Sequence, residues 1–179
     1  MTKLHVLTGA PGSGKSSIVL ALELMGEYVV REAAEDYIRY RQASGQKEPW
    51  KEADFQDKIL DLQLIREAKM PKNINRIFLD RGRHDGLAWT KPETDTYKRI
   101  WTESGNIQYA TIFFIEMLGR VETTDVRREN HLEAAKIGIE LERIYATFRY
   151  PLIKIRSGAL QERVEQIIEK IEAEEKYRK

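Results

Sequence analysis

The chain has 179 residues, in which 30 Lys plus Arg oppose 29 Asp plus Glu for a formal charge of +1, and it has no cysteine. That length suits one domain able to bury a core unaided; the missing cysteines exclude disulfides, a thiolate nucleophile and a cysteine-ligated metal, and the charge balance gives no support to bulk nucleic-acid binding. No apolar run approaches the ~20 residues that span a bilayer, so the expectation is a cytoplasmic protein without a membrane partner.

Residues 4–8 are a short apolar run suited to a buried strand. Directly after it stand Gly9, Ala10, Pro11, Gly12, Ser13, Gly14, Lys15 and Ser16, a full G-x-x-x-x-G-K-[ST] sequence, and residues 17–25 suit a helix. The glycines let successive backbone N–H groups turn inward on phosphates, Lys15 can reach the β and γ phosphates, and Ser16 can hold Mg²⁺. Strand, loop and helix in that order put the loop at a helix N-terminus, where free N–H groups and the helix dipole favour an anion. The expected cofactors are therefore ATP and Mg²⁺, with Ser17 counted among the nucleotide-binding residues.

Residues 28–30 are a second strand, and residues 31–43 read as a helix that residues 44–49 break. A longer helix is expected over 51–69, with Phe55, Ile59, Leu62 and Arg66 at three- and four-residue spacing and Pro71 closing it. Strand three, 77–80, ends on an acid; 81–90 read as a turn and short helix, 94–103 as a helix, and 111–115 as a buried strand. Residues 120–130 are crowded with charge. The helix over 131–148 carries Ile137, Leu141, Ile144, Tyr145 and Phe148 on one face, strand five is 152–155, and the closing helix over 159–177 turns Leu160, Val164, Ile167, Ile168 and Ile171 to the core. Strands alternating with helices predict one α/β domain over 1–179, an open five-stranded parallel sheet with helices on both faces. Ligands of such sheets lie beyond the carboxyl ends of the strands.

The residues after those strand ends are the candidates for chemistry. Asp80 closes an apolar run in the manner of a second carboxylate that handles Mg²⁺ directly or through water. Glu32 follows strand two and could orient or deprotonate an acceptor hydroxyl, with Glu35 and Asp36 as alternatives one helical turn away. Arg81 and Arg83 could clamp phosphate or acceptor oxygens, or form surface ion pairs. Arg120, Arg127 and Arg128 could supply cations over a migrating phosphoryl group from a lid over residues 118–130. Trp50 and Gln56 could contact a planar acceptor, and His84 is the one histidine close in sequence to Asp80.

These stretches resemble those of the small stand-alone P-loop ATPases and kinases of the AAA_28 (NadR-like) group, from the N-terminus almost to the end of the chain. The likeness is carried by the loop itself and by Val30, Arg31, Glu32, Ala33 and Ala34 after strand two. It continues in Trp50 with Phe55 and Gln56, in Leu79, Asp80, Arg81 and Gly82, in Asp85, Gly86, Leu87 and Ala88, and in Arg127, Arg128 and Glu129. The resemblance implies a P-loop nucleoside triphosphate hydrolase fold of kinase-like form with a short helical lid. It also implies Lys15 and Ser16 at the nucleotide, Asp80 in metal or acceptor handling, Glu32 at the acceptor, and Arg127 and Arg128 in the lid. Ser16 replaces the threonine common in the group, and both supply a hydroxyl.

The leading expectation is a Mg-ATP-dependent kinase of a small hydroxylated acceptor, nucleoside-like or nucleotide-like. The alternative is a slow ATPase or nucleotide-dependent switch that passes its state to a protein partner, and a third reading, a nucleic-acid end kinase, needs a basic groove. A kinase should show an acceptor-sized cavity touching Glu32 and Asp80, whereas a switch should show an exposed apolar partner surface.

Overall fold

The computed structural model describes residues 2–118 and 131–177. Five strands, β1 (Lys3–Thr8), β2 (Tyr28–Val30), β3 (Arg76–Asp80), β4 (Thr111–Ile115) and β5 (Leu152–Ile155), form one sheet in the order β2-β3-β1-β4-β5. All four pairings are parallel. Parallel neighbours need crossover connections, and these carry helices α1 (Lys15–Leu24), α2 (Ala33–Ala43), α3 (Phe55–Ala68), α4 (Asp95–Gly105) and α5 (His131–Thr147), while α6 (Leu160–Tyr177) follows β5. Short 3₁₀ segments at Pro49–Lys51 and Arg83–Trp89 complete the described elements.

Successive side chains of a strand point to opposite faces, and here both faces are covered. Leu7, Phe78, Phe113, Ile115 and Ile155 pack against Ile18, Val19 and Leu22 of α1 and Val164, Ile167 and Ile171 of α6. Val6, Ile77, Leu79 and Ile112 pack on the other face with Tyr145 of α5. On that second side Leu60, Leu87, Ile100 and Ile144 join α3, the 3₁₀ helix Arg83–Trp89, α4 and α5. Register sets Leu7 beside Asp80 and Val30 beside Leu79, so β1, β2 and β3 end side by side. Among the described residues no helix is long and apolar enough to cross a membrane.

The expected strands and helices are present, with three local differences. Helix α2 starts at Ala33, because Glu32 still has extended backbone (ψ 125°) as it leaves β2. In α3 the buried residues are Phe55, Leu60 and Glu67; Arg66 instead reaches α2, donating to the carbonyls of Arg31 and Glu32 and to Asp36. Leu160 is 44% exposed, since the first turn of α6 runs past the sheet and the helix meets the core only from Arg163 and Val164 onward.

Two histidines belong to the core. His5 lies between Phe78 and Phe113, and His84 sits in a cage of Tyr109, Tyr145, Phe148 and Tyr150. All four ring nitrogens lack hydrogen-bond partners. Burial, helped by Arg76 for His5 and by Arg83 for His84, pushes each pKa from the ordinary 6.5 down to about 4. The unfolded chain therefore binds more protons between about pH 6.5 and 4, and stability falls as pH drops through that window. Replacing His84 by Leu removes one such group while keeping the cage filled. The loss of unfolding free energy between pH 7 and 4.5, measured by urea denaturation, should be smaller in His84→Leu than in the wild type by about 1–3 kcal/mol.

Candidate functional site

The loop between β1 and α1 is built by close approach. Gly9 has φ 139°, and a Cβ there would stand 2.5 Å from the Ile115 carbonyl oxygen. Gly14, at φ 81°, caps α1 in the left-handed region with Arg163 pressed beneath it. The first turn of α1 contains no acid, so no carboxylate of its own answers the partial positive charge of the helix N-terminus. Lys15 is buried, and its ammonium donates to the carbonyls of Gly9 and Ala10, at 3.0 Å each, and to Ser13 Oγ at 3.1 Å. Ser16 and Ser17 are exposed at the head of α1.

Beyond β3 the backbone turns sharply. The Arg81 N–H donates to the Leu7 carbonyl at 3.0 Å, and Arg81 then adopts φ 73°, a conformation that L side chains rarely take. That turn sends its guanidinium back over the strand ends. Nε donates to Glu32 Oε1 at 2.9 Å, Nη1 donates to Asp85 Oδ1 at 3.2 Å and to the Gly9 carbonyl at 3.4 Å, and the group lies 4.8 Å from the centre of the Trp89 ring. Although burial disfavours its charge, Glu32, Asp85 and Asp80 hold the Arg81 pKa above its ordinary value.

Asp85 locks this arrangement. Its Oδ1 accepts from Thr8 Oγ1 at 2.6 Å as well as from Arg81, and its Oδ2 accepts from the Tyr145 hydroxyl at 2.6 Å and the Gly82 N–H at 3.0 Å. Asp80 is different, because its Oδ1 is buried and has no partner. Burial, reinforced by Glu32, raises the Asp80 pKa to about 7 against the opposing pull of Lys15 and Arg81. Burial also lowers that of Lys15 to about 7, with Arg81 adding to the effect. Asp80 and Lys15 each favour the charge of the other. An orphaned carboxylate oxygen and the exposed Ser16 hydroxyl are hard oxygen donors that fit Mg²⁺. Among the described residues no cluster of three acidic or histidine ligands exists, so the ion would need further oxygens from a ligand or water.

A cavity of about 310 Å³ opens from this point between α2 and α3, lined by Lys15, Ser16, Glu32, Asp80 and Arg81 at one end and by Trp50, Phe55, Gln56, Leu60 and Trp89 at the other. Pro11 and Gly12 line it too, whereas Gly9, Ala10, Ser13, Gly14 and Ser17 do not. Arg83 touches it but is held by Glu67 and Glu103, Asp36 pairs with Arg66, and Trp101 stacks on Tyr97 and Phe148 elsewhere. Arg120, Arg127 and Arg128, and with them all but the first residue of the expected lid, lie outside the described residues. Sequence reasoning missed Asp85 as the organiser of the site, together with Thr8 and Tyr145. The one local signal was a carboxylate three residues after Gly82 at the start of a turn, a place where it can bond back to the backbone.

Residues 4–163 match AAA_28, a family of AAA domains. No curated protein matches the chain. Among solved structures it is similar to NadR protein in complex with NAD and AMP-PNP, at 15% identity and TM-score 0.69 over 93% of this chain. It spans about half (48%) of that protein's length. Deoxyadenosine kinase from M. mycoides is similar at 17% identity and TM-score 0.62, over 95% of this chain and 99% of that one. Thymidylate kinase from Candida albicans follows at 14% identity and TM-score 0.70, over 97% and 92%. At such identities the likeness is one of fold.

The raised Asp80 pKa has a consequence with a definite sign. The folded chain keeps a proton on Asp80 that the unfolded chain releases near the ordinary 3.8, so this group's contribution to stability declines as pH rises from about 4 to about 7. Asp80→Asn has no charge to bury. Its Tm relative to the wild type should rise between pH 5 and pH 8 by at least about 2–4 °C, the shift that ~1 kcal/mol produces at this chain length, as read by thermal unfolding at both pH values.

Proposed function

We propose that this chain, which belongs to the AAA_28 family of AAA domains, is a Mg-ATP-dependent phosphotransferase acting in the cytoplasm on a small hydroxylated acceptor. The observation that carries this reading is the cavity joined to the phosphate loop, with Glu32 and Asp80 at the junction. ATP phosphates would lie on the loop from Gly9 to Ser16, where the Lys15 ammonium would exchange loop oxygens for phosphate oxygens. Mg²⁺, held by Ser16 and Asp80 with phosphate oxygens, would supply charge neutralisation of the transferred group.

The accepting group is better read as a hydroxyl than as a phosphate. Among the described residues, each arginine on the cavity wall is already matched: Arg31 with Glu23, Arg81 with Glu32 and Asp85, and Arg83 with Glu67 and Glu103. A phosphorylated acceptor brings about −1.5 to −2 charges and wants cationic donors. A hydroxyl instead has a proton to give, and Glu32, on the cavity wall, would take it. The hydroxyl oxygen then bonds to the γ-phosphorus as the bond to the β–γ bridging oxygen breaks, and ADP leaves with that electron pair. Trp50, Phe55 and Trp89 would hold a flat ring, with Gln56 available to its polar edge. Arg81 would fix Glu32, and Arg127 and Arg128 would close over the phosphates. Most of the acceleration would come from position and electrostatics.

One observation favours the alternative, a slow ATPase or switch with a protein partner. Leu20, Leu24, Met25 and Tyr28 are exposed together at the far end of α1 and the start of β2. The joined cavity weighs more, because a switch has no use for an acceptor chamber. The test is ADP release from labelled ATP with a panel of nucleosides, vitamins and sugars. At least one should raise the rate about tenfold or more over water, and Glu32→Gln should lower kcat by about 10²–10⁴ with little change in KM for ATP. If ADP release is the same with every acceptor as with water, the kinase reading fails. Lys15→Ala should remove activity under either reading.

A further inference from the structure

Arg163, near the start of α6, is among the largest wholly buried side chains, at 2% exposure. Its Nη2 donates to the Ser13 carbonyl at 2.6 Å and to the Glu116 carbonyl at 3.2 Å. Its Nη1 lies under the phosphate loop, 2.9 Å from where a Cβ on Gly14 would stand, and its Nε has no partner. Among the described residues no carboxylate lies within ion-pair distance of it. The Glu116 carboxylate attracts it only from farther off, and burial disfavours its charge. Arg81 and Arg83, the other well-buried arginines of this end of the sheet, each have two carboxylates. A buried cation matched only by neutral carbonyls costs stability, and among the described residues this guanidinium, directly behind the loop, has no ion-pair partner.

What lies on the far side of the Ser13–Gly14 peptide supplies the explanation. The N–H groups of Gly12 and Gly14 make no hydrogen bond within the described chain, and Lys15 is the next residue. We infer that Arg163 is a positioning residue for the phosphate loop: its unpaired charge acts through the Ser13–Gly14 peptide to strengthen binding of an anionic polyphosphate, which serves as its missing counter-charge. Two effects act together. Donation to the Ser13 carbonyl polarises the peptide and makes the Gly14 N–H a stronger donor. The charge itself attracts the anion across a medium of low dielectric constant, by an amount that grows with ligand charge. This inference rests on the reading of the loop as a nucleotide site.

The test separates charge from packing and uses the full chain. Arg163→Lys keeps a cation, whereas Arg163→Gln keeps a donor for the Ser13 carbonyl and removes the charge. Dissociation constants for tripolyphosphate, ATP, ADP and adenosine are measured by calorimetry with Mg²⁺ present. The Gln variant should bind tripolyphosphate and ATP about tenfold more weakly than the wild type, ADP less affected and adenosine unchanged, with the Lys variant within about threefold of the wild type. Equal losses for adenosine and the polyphosphates would reveal a structural role only, and unchanged polyphosphate binding by the Gln variant would overturn the inference. A wild-type chain that binds neither ATP nor tripolyphosphate would instead refute the nucleotide site itself.

Discussion

The carboxylate of Asp85 ties the working end of this molecule together. Four donors converge on it from the end of β1, the turn after β3, the backbone of Gly82 and the last turn of α5. A buried carboxylate is tolerable only when its lone pairs are satisfied, and here satisfying them requires each of those elements to stand in its observed place. Arg81 can then hold Glu32 toward the cavity, because its own guanidinium is anchored at the other end. The left-handed backbone at Arg81 is sustained by the same bonds, which is how a locally unfavourable conformation persists where it serves geometry.

Around that fixed point the charges are deliberately unequal in their satisfaction. Asp85, Arg81 and Arg83 are held by ion pairs, whereas Asp80 keeps a bare oxygen and Lys15 hydrogen-bonds only to neutral oxygens. The engaged groups set the frame, and the unengaged ones mark where an incoming ligand would complete the electrostatics. Because both unengaged groups have pKa values moved to about 7 by burial, their charge states are sensitive to what binds beside them. An anion would favour the ammonium and a divalent cation the carboxylate.

The parts legible in the sequence were those whose chemistry is local. The phosphate loop could be read because backbone approach at Gly9 and Gly14 permits little besides glycine, and β2, β4 and β5 because short apolar runs lie between clear breaks. Asp80 and Glu32 followed from their places after strands. Asp85 was quoted only as part of a resemblance, since its partners Thr8 and Tyr145 lie 77 and 60 residues away and no spacing rule reaches so far. Arg163 was invisible for the same reason, its contact with Ser13 spanning 150 residues. The inward side of α3 was misjudged because a buried Glu67, neutralised by Arg83, takes a place that apolar periodicity assigns to a hydrophobe.

The sheet order has a further meaning for how the loop comes to exist in time. Residues 9–16 precede β3 and β4 in the chain, yet β1 is the central strand and gains its neighbours only when those later segments have been synthesised. Gly9 has nothing to press against before Ile115 arrives, and Ser13 has no guanidinium behind it before Arg163. The loop thus takes its shape only with segments that follow it by 100 residues and more. A truncated chain can carry the whole motif and still lack its folded shape, so the formed loop is a property of the finished domain.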